Sequence, residues 1–302
     1  MQHIYLYYIV NNIIIIYTYT NQSGGPMKRT LITTALLLAL ISFSLPAFSF
    51  TPFVETEQGT IALVHHTYQN GANNSEFDFI KQGGQNNLYP FSRYTMGATI
   101  EKNHRLWFTY QPLELKTAVE FVNEVKIGNE TFEANTPMEL TYSFPFYRMT
   151  YTYDLLGRYD NAYLRVGLAL QIRNASIQFK EVKGVDMYVS QNVGLVPALA
   201  IYSEYVFPFG LTLSADIAGS YASSAIINGA DFEFEGSILD ASLRMSYLVK
   251  EGYSLFANAR FFGGTANGTS ENVGDTWTDN VLPYTKNNIA SLTFSAGLHW
   301  QM

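Results

Sequence analysis

Hydrophobic and polar residues alternate one by one along segment after segment of this chain. Successive side chains of a β-strand point to opposite faces, so such a segment has one apolar and one polar face. In the segment 162–176, the apolar face carries Leu164, Val166, Leu168, Leu170 and Ile172, and the polar face carries Arg165, Gly167, Ala169, Gln171 and Arg173. The same pattern predicts strands near residues 93–100, 105–111, 147–153, 193–204, 211–220, 239–247, 254–261 and 291–300. A first strand, Thr60 to Tyr68, alternates too poorly for its faces to be assigned.

The connections between these segments alternate in length. Short turns lie at 101–103, 156–161, 208–210 and 250–252, and longer polar loops lie near 69–89, 116–137, 180–191, 228–232 and 264–288. Short turns at one end and long loops at the other are typical of outer-membrane barrels. The sequence therefore predicts an all-β fold, a transmembrane antiparallel β-barrel of ten strands. A small hairpin around Gly128-Asn129 is also expected, and twelve strands would result if it joined the wall.

The composition separates this barrel from other classes of protein. Only 14% of the residues are charged and 15% are aromatic, whereas charged residues make up about a quarter of a soluble domain. A soluble β-sandwich or an eight-stranded soluble barrel would alternate in the same way. The aromatic apolar faces and the arginines on the opposite faces favour the membrane-spanning alternative.

The N-terminal part of the chain predicts export. Lys28 and Arg29 precede an apolar stretch from Leu31 to Leu45, and Ala47-Phe48-Ser49 provides small residues for cleavage. We expect residues 27–49 to be a signal peptide and residues 50–302 to be the barrel domain in the bacterial outer membrane. Residues 1–26 are interpreted as a non-native leader, with Met27 as the true start. Peptides from this leader in cellular mass spectra would contradict that interpretation.

Arginines follow the polar face of the predicted strands. Seven arginines and three acids lie on this polar face. These ten residues are the predicted lining of the lumen: Arg93, Arg105, Arg148, Arg165, Arg173, Glu204, Asp216, Asp240, Arg244 and Arg260. A guanidinium group facing lipid costs about 2–4 kcal/mol, so membrane insertion directs these side chains inward. The lining is expected to form a packed polar interior or a basic constriction that selects anions.

Catalytic and metal-binding arrangements are not evident. The chain has no cysteine, which excludes thiol catalysis, thiolate zinc and iron–sulfur sites. His65 and His66 are adjacent, so on a strand they face opposite sides and cannot chelate together. No His-x-Ser pattern follows the signal region. We therefore expect no enzyme activity, no catalytic or metal site and no cofactor, and an outer-membrane lipid hydrolase is the least favoured alternative.

Several motifs resemble an uncharacterised family of bacterial outer-membrane barrel proteins. They are His104-Arg105-Leu106 leading to Gln111-Pro112-Leu113, Tyr147-Arg148-Met149-Thr150-Tyr151, Gln171-Ile172-Arg173-Asn174-Ala175-Ser176-Ile177 and Arg260-Phe261-Phe262-Gly263-Gly264. The resemblance implies a barrel in the outer membrane and no particular activity. Outer-membrane barrels usually have an aromatic last residue, and here Trp300 is followed by Gln301 and Met302.

These observations favour a porin-like barrel with an arginine-rich lumen and a structural or surface-interaction role. The alternative is a narrow channel for small anionic solutes. Expected partners are outer-membrane lipid, lipopolysaccharide and the barrel-assembly machinery, with small anions added if the lumen conducts. A formal net charge of −7 argues against nucleic acid as a partner.

Overall fold

The computed structural model describes residues 5–10, 13–18, 49–157, 159–224, 234–269 and 284–302. The chain divides into two compact units, Met1–Phe48 and Ser49–Met302. In the first unit, the described residues form one antiparallel hairpin. The predicted signal peptide lies outside the described residues apart from Ser49, and both the signal peptide and the leader remain predictions.

The described residues form seventeen strands. In chain order they are β1 (Tyr5–Val10), β2 (Ile13–Thr18), β3 (Phe50–Asn70), β4 (Phe77–Asp78), β5 (Leu88–Ile100), β6 (His104–Gln111), β7 (Glu114–Glu120), β8 (Val125–Ile127), β9 (Glu130–Phe132), β10 (Pro137–Ser143), β11 (Phe146–Asp154), β12 (Ala162–Glu181), β13 (Met187–Val206), β14 (Leu211–Ser223), β15 (Phe234–Lys250), β16 (Tyr253–Thr269) and β17 (Tyr284–Gln301). In this part of the chain, no helix is long and apolar enough to cross a membrane.

Ten of these strands close into a ring. Its order is β3, β5, β6, β11, β12, β13, β14, β15, β16 and β17, and β17 pairs with β3 to complete it. Every pairing in the ring is antiparallel. The ten-strand prediction is therefore confirmed. The hairpin predicted around Gly128-Asn129 is present as β8 and β9, but it pairs outside the wall, so the twelve-strand alternative is wrong.

The outer surface of the ring is an apolar belt bounded by aromatic rings. Leu168, Leu243 and Phe294 are each more than 60% exposed there. Tyr253 and Trp300 lie beside the short turns, which mark the periplasmic end. On its β5, β6 and β11 side, the rings of Tyr94, Tyr110 and Tyr147 stack on one another. The outward apolar side chains of this belt are stable in contact with lipid, whereas in contact with water they would not be.

A bulge in β3 explains why the first strand could not be assigned from sequence. His65 pairs with Ala290 and Leu63 pairs with Ser291, so Val64 is an extra residue without a partner on β17. The inward face therefore changes from odd positions such as Glu55 and Glu57 to even positions such as His66. A single inserted residue shifts every later side chain to the other face.

Two strands continue beyond the ring at its outer end. Short non-strand segments separate these strands from their neighbours along the chain. Pro112-Leu113 lies between β6 and β7, and Phe144-Pro145 lies between β10 and β11. The inner part of β12 pairs with β11, and its outer part pairs with β10, which in turn pairs with β7. We call residues 71–87 together with residues 112–144 the outer cap.

Candidate functional site

A group of charged side chains crosses the middle of the lumen. Asp240 on β15 accepts hydrogen bonds from Arg148 on β11, with 2.5 Å between Nη2 and Oδ2. Arg260 on β16 binds both carboxylate oxygens of the same residue, through Nε at 2.5 Å and through Nη2. Since β11 and β16 are five strands apart in a ring of ten, these arginines come from opposite walls.

Two glutamines complete this group. Gln111 Oε1 accepts a hydrogen bond from Arg260 Nη1 at 3.0 Å, and Gln171 Oε1 accepts one from Arg148 Nη2 at 3.0 Å. All five side chains are buried. We call Gln111, Arg148, Gln171, Asp240 and Arg260 the charged layer. The contacts of the charged layer therefore cross the full width of a barrel narrow enough for side chains to fill it.

A second set of contacts lies closer to the periplasmic end. Glu55 Oε1 accepts from Arg244 Nη1 and from His299 Nδ1, each at 2.9 Å. Glu57, its neighbour on the same face of β3, accepts from Asn258 Nδ2 at 2.8 Å and from Ser295 Oγ. Both acids were missed in the sequence because the first strand was predicted to begin at Thr60, whereas β3 begins at Phe50.

The acids found in the structure change the expected charge of the lumen. Asp154, at the end of β11, is buried, and its Oδ1 accepts hydrogen bonds from the backbone N–H groups of Leu156 and Leu164. The inward acids are Glu55, Glu57, Asp154, Glu204, Asp216 and Asp240. They face six arginines whose side chains are described, Arg93, Arg105, Arg148, Arg165, Arg244 and Arg260. The positive excess expected from three acids is corrected to a near balance.

Arg93 is buried, and four other predicted lining residues lie around one aromatic side chain, Tyr202 on β13. Arg105 lies over the Tyr202 ring, with its Cζ 5.3 Å from the ring centroid, and Arg165 lies over the same ring at 5.6 Å. Glu204 accepts a hydrogen bond from the Tyr202 hydroxyl. Asp216 pairs with Tyr202 across β13 and β14. The side chain of Arg173 lies outside the described residues, and its backbone pairs with Phe146 and Gly194.

The outer cap closes the other end of the lumen with apolar side chains. Phe77 lies 5.1 Å from Phe79, 5.3 Å from Phe121 and 5.0 Å from Phe179, measured between ring centroids. Phe132 of the small hairpin joins the same cluster. Burying a side chain of this size stabilises a fold by about 1.5–3 kcal/mol. The loop after β3 therefore packs over the mouth instead of projecting into solvent.

Polar contacts fasten the loop of the outer cap. Asn74 Nδ2 donates to the carbonyl oxygens of Asn70 at 2.5 Å and Gly128 at 2.7 Å. The backbone N–H of Phe79 donates to the His66 carbonyl at 3.0 Å. These contacts tie the loop to β3 and to the hairpin formed by β8 and β9.

His66 is a buried titratable group inside the outer cap. Its Nδ1 donates to Gln85 Oε1 at 2.6 Å, its ring stacks on Phe79 at 4.3 Å, and its Nε2 has no partner among the described residues. β3 begins at Phe50 at the periplasmic end, sixteen residues before His66, and a barrel strand crosses the membrane in about 9–11 residues, so His66 lies outside the membrane-spanning part of β3. Burial lowers the pKa of His66 from 6.5 to about 4.

The described histidines do not form a hydrolase-like arrangement. His104 Nδ1 contacts the Tyr151 hydroxyl on the outer wall, His299 contacts Glu55, and His66 contacts Gln85. In the described part of the chain, no three His, Cys, Asp or Glu side chains are grouped so that they could hold a metal ion.

Comparisons with known proteins agree on the fold. No model of a protein family matches the chain, and no curated protein is significantly similar in sequence. The solved structure of the outer membrane protease OmpT from Escherichia coli aligns with a TM-score of 0.52 and 8% identity, covering 86% of this chain and 99% of that one.

Two other solved structures align less well. The translocator domain of autotransporter NalP from Neisseria meningitidis has a TM-score of 0.37 and 12% identity, covering 90% and 95% of the two chains. A FadL homologue from Pseudomonas aeruginosa has a TM-score of 0.35 and 8% identity, covering 83% and 90%. The closed ten-strand ring, its apolar belt and the OmpT alignment show that the chain is a bacterial outer-membrane β-barrel.

Proposed function

We propose that this protein is a sealed outer-membrane barrel with a structural or surface-interaction role, carried by the part that projects outside the cell. The observation behind the proposal is the double closure of the lumen. The charged layer blocks the middle, and the outer cap fills the mouth with packed aromatic rings. A barrel closed at two levels is poorly suited to conduct solutes.

The outer end of the barrel supports a surface role because it is folded and displays many exposed side chains. Glu114, Lys116, Glu120 and Glu139 are exposed on β7 and β10. Beneath them, Leu115, Met138 and Leu140 are buried in the aromatic cluster. The buried face fixes the exposed one, so the outer cap presents a preorganised surface, which lowers the entropy cost of binding a partner.

An anion-selective channel is the alternative that the geometry favours less. Arg148 and Arg260 donate to Asp240, and Arg244 donates to Glu55. A guanidinium group paired with a carboxylate offers little attraction to a passing anion. The near balance of inward charges removes the main argument for such a channel.

Conductance of the refolded barrel in a planar bilayer tests the closure. Four proteins are compared: the wild type, a variant with residues 72–86 replaced by a Gly-Ser linker, the triple variant Arg148→Ala/Asp240→Ala/Arg260→Ala, and the combination of both changes. We expect the first three to be silent, because at least one closure remains, and the combination to conduct. Steady conductance by the wild type would refute the sealed barrel.

Complementation of a deletion strain tests the surface role. A variant in which a short linker replaces residues 114–142 keeps the ring of ten strands but lacks most of the outer cap. We expect this variant to assemble in the outer membrane but not to restore the wild-type envelope phenotype that the deletion strain has lost. A variant of the charged layer, Gln171→Leu, should restore that phenotype. Full restoration by the variant without residues 114–142 would contradict a role for the outer cap.

A further inference from the structure

Arg105 is placed so that its flat faces are covered while its hydrogen-bond donors stay unused. Its Cζ lies 4.2 Å from the ring centroid of Phe53, 5.6 Å from Trp107 and 5.3 Å from Tyr202. Stacking uses the faces of the guanidinium group and leaves its in-plane N–H groups free. Among the described residues, Arg105 forms no ion pair and no hydrogen bond through these groups.

Arg165 has the same property on the other side of Tyr202. Its Cζ lies 4.4 Å from the Tyr163 ring centroid, and the side chain is only about 4% exposed. Its Nε and Nη1 atoms are buried and have no partner in the described part of the structure. A buried donor without a partner costs about 1–3 kcal/mol, and in native proteins such a group usually has a ligand or water.

The free donors of Arg105 border a cavity of about 40 Å³ on the periplasmic side of the charged layer, whereas Arg165 lies behind Tyr202 and is not part of its walls. Its walls include Arg93, Arg105, Trp107, Tyr202, Asp216 and Arg244. A water molecule needs only about 10–15 Å³ of such volume, so this space has room for a group larger than one water. Arg93 is also buried, and its Nε has no partner among the described atoms.

The carboxylates nearby already accept hydrogen bonds. Glu55 accepts from Arg244 and His299, Glu204 accepts from Tyr202, and Asp154 accepts from two backbone N–H groups. Asp216 is the exception, because it lines the cavity and has no such contact in the described part. The region therefore has more free guanidinium donors than free carboxylate acceptors.

We propose that this cavity binds an oxyanion, namely a phosphate or carboxylate group that enters from the periplasm and is held by Arg93 and Arg105. Forked guanidinium donors match the geometry of these groups. Arg165, behind Tyr202, adds positive charge. The site is blind, because the charged layer lies beyond it, so a bound anion does not pass through the barrel. The proposal is independent of the surface role of the outer cap.

Titration of the refolded barrel with sodium phosphate, at constant ionic strength set by sodium chloride, tests the site. The readout is the fluorescence of Trp107, which lines the cavity, with Trp107→Phe used to assign the signal. We expect saturable binding by the wild type and at least tenfold weaker binding by Arg105→Met, which keeps the stacking on Phe53 but removes the donors. Lys116→Met, which removes a positive charge on the outer surface, should bind as the wild type does.

Two further variants separate an oxyanion site from an internal charge pair. If Asp216 only repels the bound anion, Asp216→Asn binds phosphate more tightly. If Asp216 is instead the water-bridged partner of Arg105, Asp216→Asn destabilises the barrel and does not tighten binding, which overturns the proposal. Arg105→Lys keeps the charge and should bind weakly, and heat-modifiable gel migration confirms that each variant is folded.

Probes of different size identify the source of the oxyanion. Glycerol phosphate that binds as tightly as inorganic phosphate indicates a group attached to a larger molecule, and weaker binding indicates a free ion. Acetate tests whether a carboxylate is accepted. If none of the three anions binds to the folded wild type, or if Arg105→Met and Lys116→Met behave alike, the proposal is wrong.

Discussion

Arg148 and Asp240 meet across the lumen, with 2.5 Å between Nη2 of the arginine and Oδ2 of the aspartate. Their strands, β11 and β15, are four steps apart around the ring, so the ion pair crosses the interior instead of linking neighbouring strands. Asp240 also binds Arg260, and all three side chains are buried. One carboxylate therefore compensates two guanidinium groups that have no access to bulk water.

Removal of that carboxylate should destabilise the barrel strongly. In Asp240→Ala, Arg148 and Arg260 would remain buried without a counter-charge. Breaking a buried pair in this way typically costs about 3–5 kcal/mol, and we expect a loss in that range. Urea unfolding in lipid vesicles measures it. The control is Asp160→Ala in an exposed turn, which should change the unfolding free energy by less than about 0.5 kcal/mol. Equal effects of the two substitutions would contradict the central role of Asp240.

The ring of strands could be predicted from sequence because lipid imposes a strict rule on each strand. On β12, outward Leu168 and Leu170 alternate with inward Arg165 and Gln171, and any slip would place arginine in lipid. On β3 the bulge at Val64 moves the inward face from odd to even positions, so the alternation breaks within the predicted first strand, Thr60 to Tyr68. That strand was predicted to begin at Thr60 although β3 begins at Phe50, so Glu55 and Glu57 fell outside it, and with them the balance of charge in the lumen.

The outer cap could not be predicted from the alternation of apolar and polar residues, because loops do not alternate in this way. The loop after β3 is mostly polar, but Phe77, Phe79 and Ile80 stand within it. Three large apolar residues in an otherwise polar loop are a signal that the loop is packed, since a loop open to solvent gains nothing from them. Phe121 and Phe132 give the same signal in the loop between β7 and β10.

Acid should loosen the outer cap through His66. The pKa of this buried group is about 4 in the folded protein, against 6.5 when it is exposed. The stability that neutral His66 gives to the closed outer cap is complete above pH 6.5 and falls as the pH is lowered toward 4. The reason is that His66 binds a proton at higher pH when the outer cap is open than when it is closed. This difference between the two pKa values corresponds to about 3 kcal/mol of stability that the closed form loses in acid. The other ionisable groups that act on the His66 ring are its exposed neighbour His65 and the carboxylate of Asp78.

Hydrogen exchange of the Phe79 and Gln85 amides measures this loosening. The Phe79 amide is bonded to the His66 carbonyl, and the Gln85 amide is bonded to the Phe79 carbonyl. Their protection should drop between pH 6.5 and 4 in the wild type. His66→Gln should remove the pH dependence, whereas His65→Gln should keep it. A wild-type profile that is flat over this range would rule out His66 as its source.

The turn between β5 and β6 should become more stable when glycine is introduced. Glu101 and Lys102 have φ angles of 52° and 62°, which non-glycine residues adopt at a cost of about 1–2 kcal/mol each. Lys102→Gly removes that cost and should raise the unfolding free energy by about 1 kcal/mol, after the greater flexibility of the unfolded chain is taken into account. Lys250→Gly serves as the control, because Lys250 lies in β15 with an ordinary φ angle and should gain nothing. No gain for Lys102→Gly in urea unfolding would contradict this account.

Two inward glycines on neighbouring strands should respond differently to alanine. At Gly167 on β12, an added Cβ would lie 1.9 Å from the Tyr151 carbonyl oxygen and 2.7 Å from Thr152 Cα. Both are backbone atoms, so β11 would have to move. At Gly194 on β13, an added Cβ would meet nothing within 4 Å. Overpacking of this kind costs about 1–3 kcal/mol, and we expect Gly167→Ala to lose at least that much in urea unfolding. Gly194→Ala should unfold like the wild type or gain up to about 1 kcal/mol, because alanine leaves the unfolded chain less freedom than glycine does. A loss of similar size in both variants would mean that the approach of β11 to β12 is looser than these distances require.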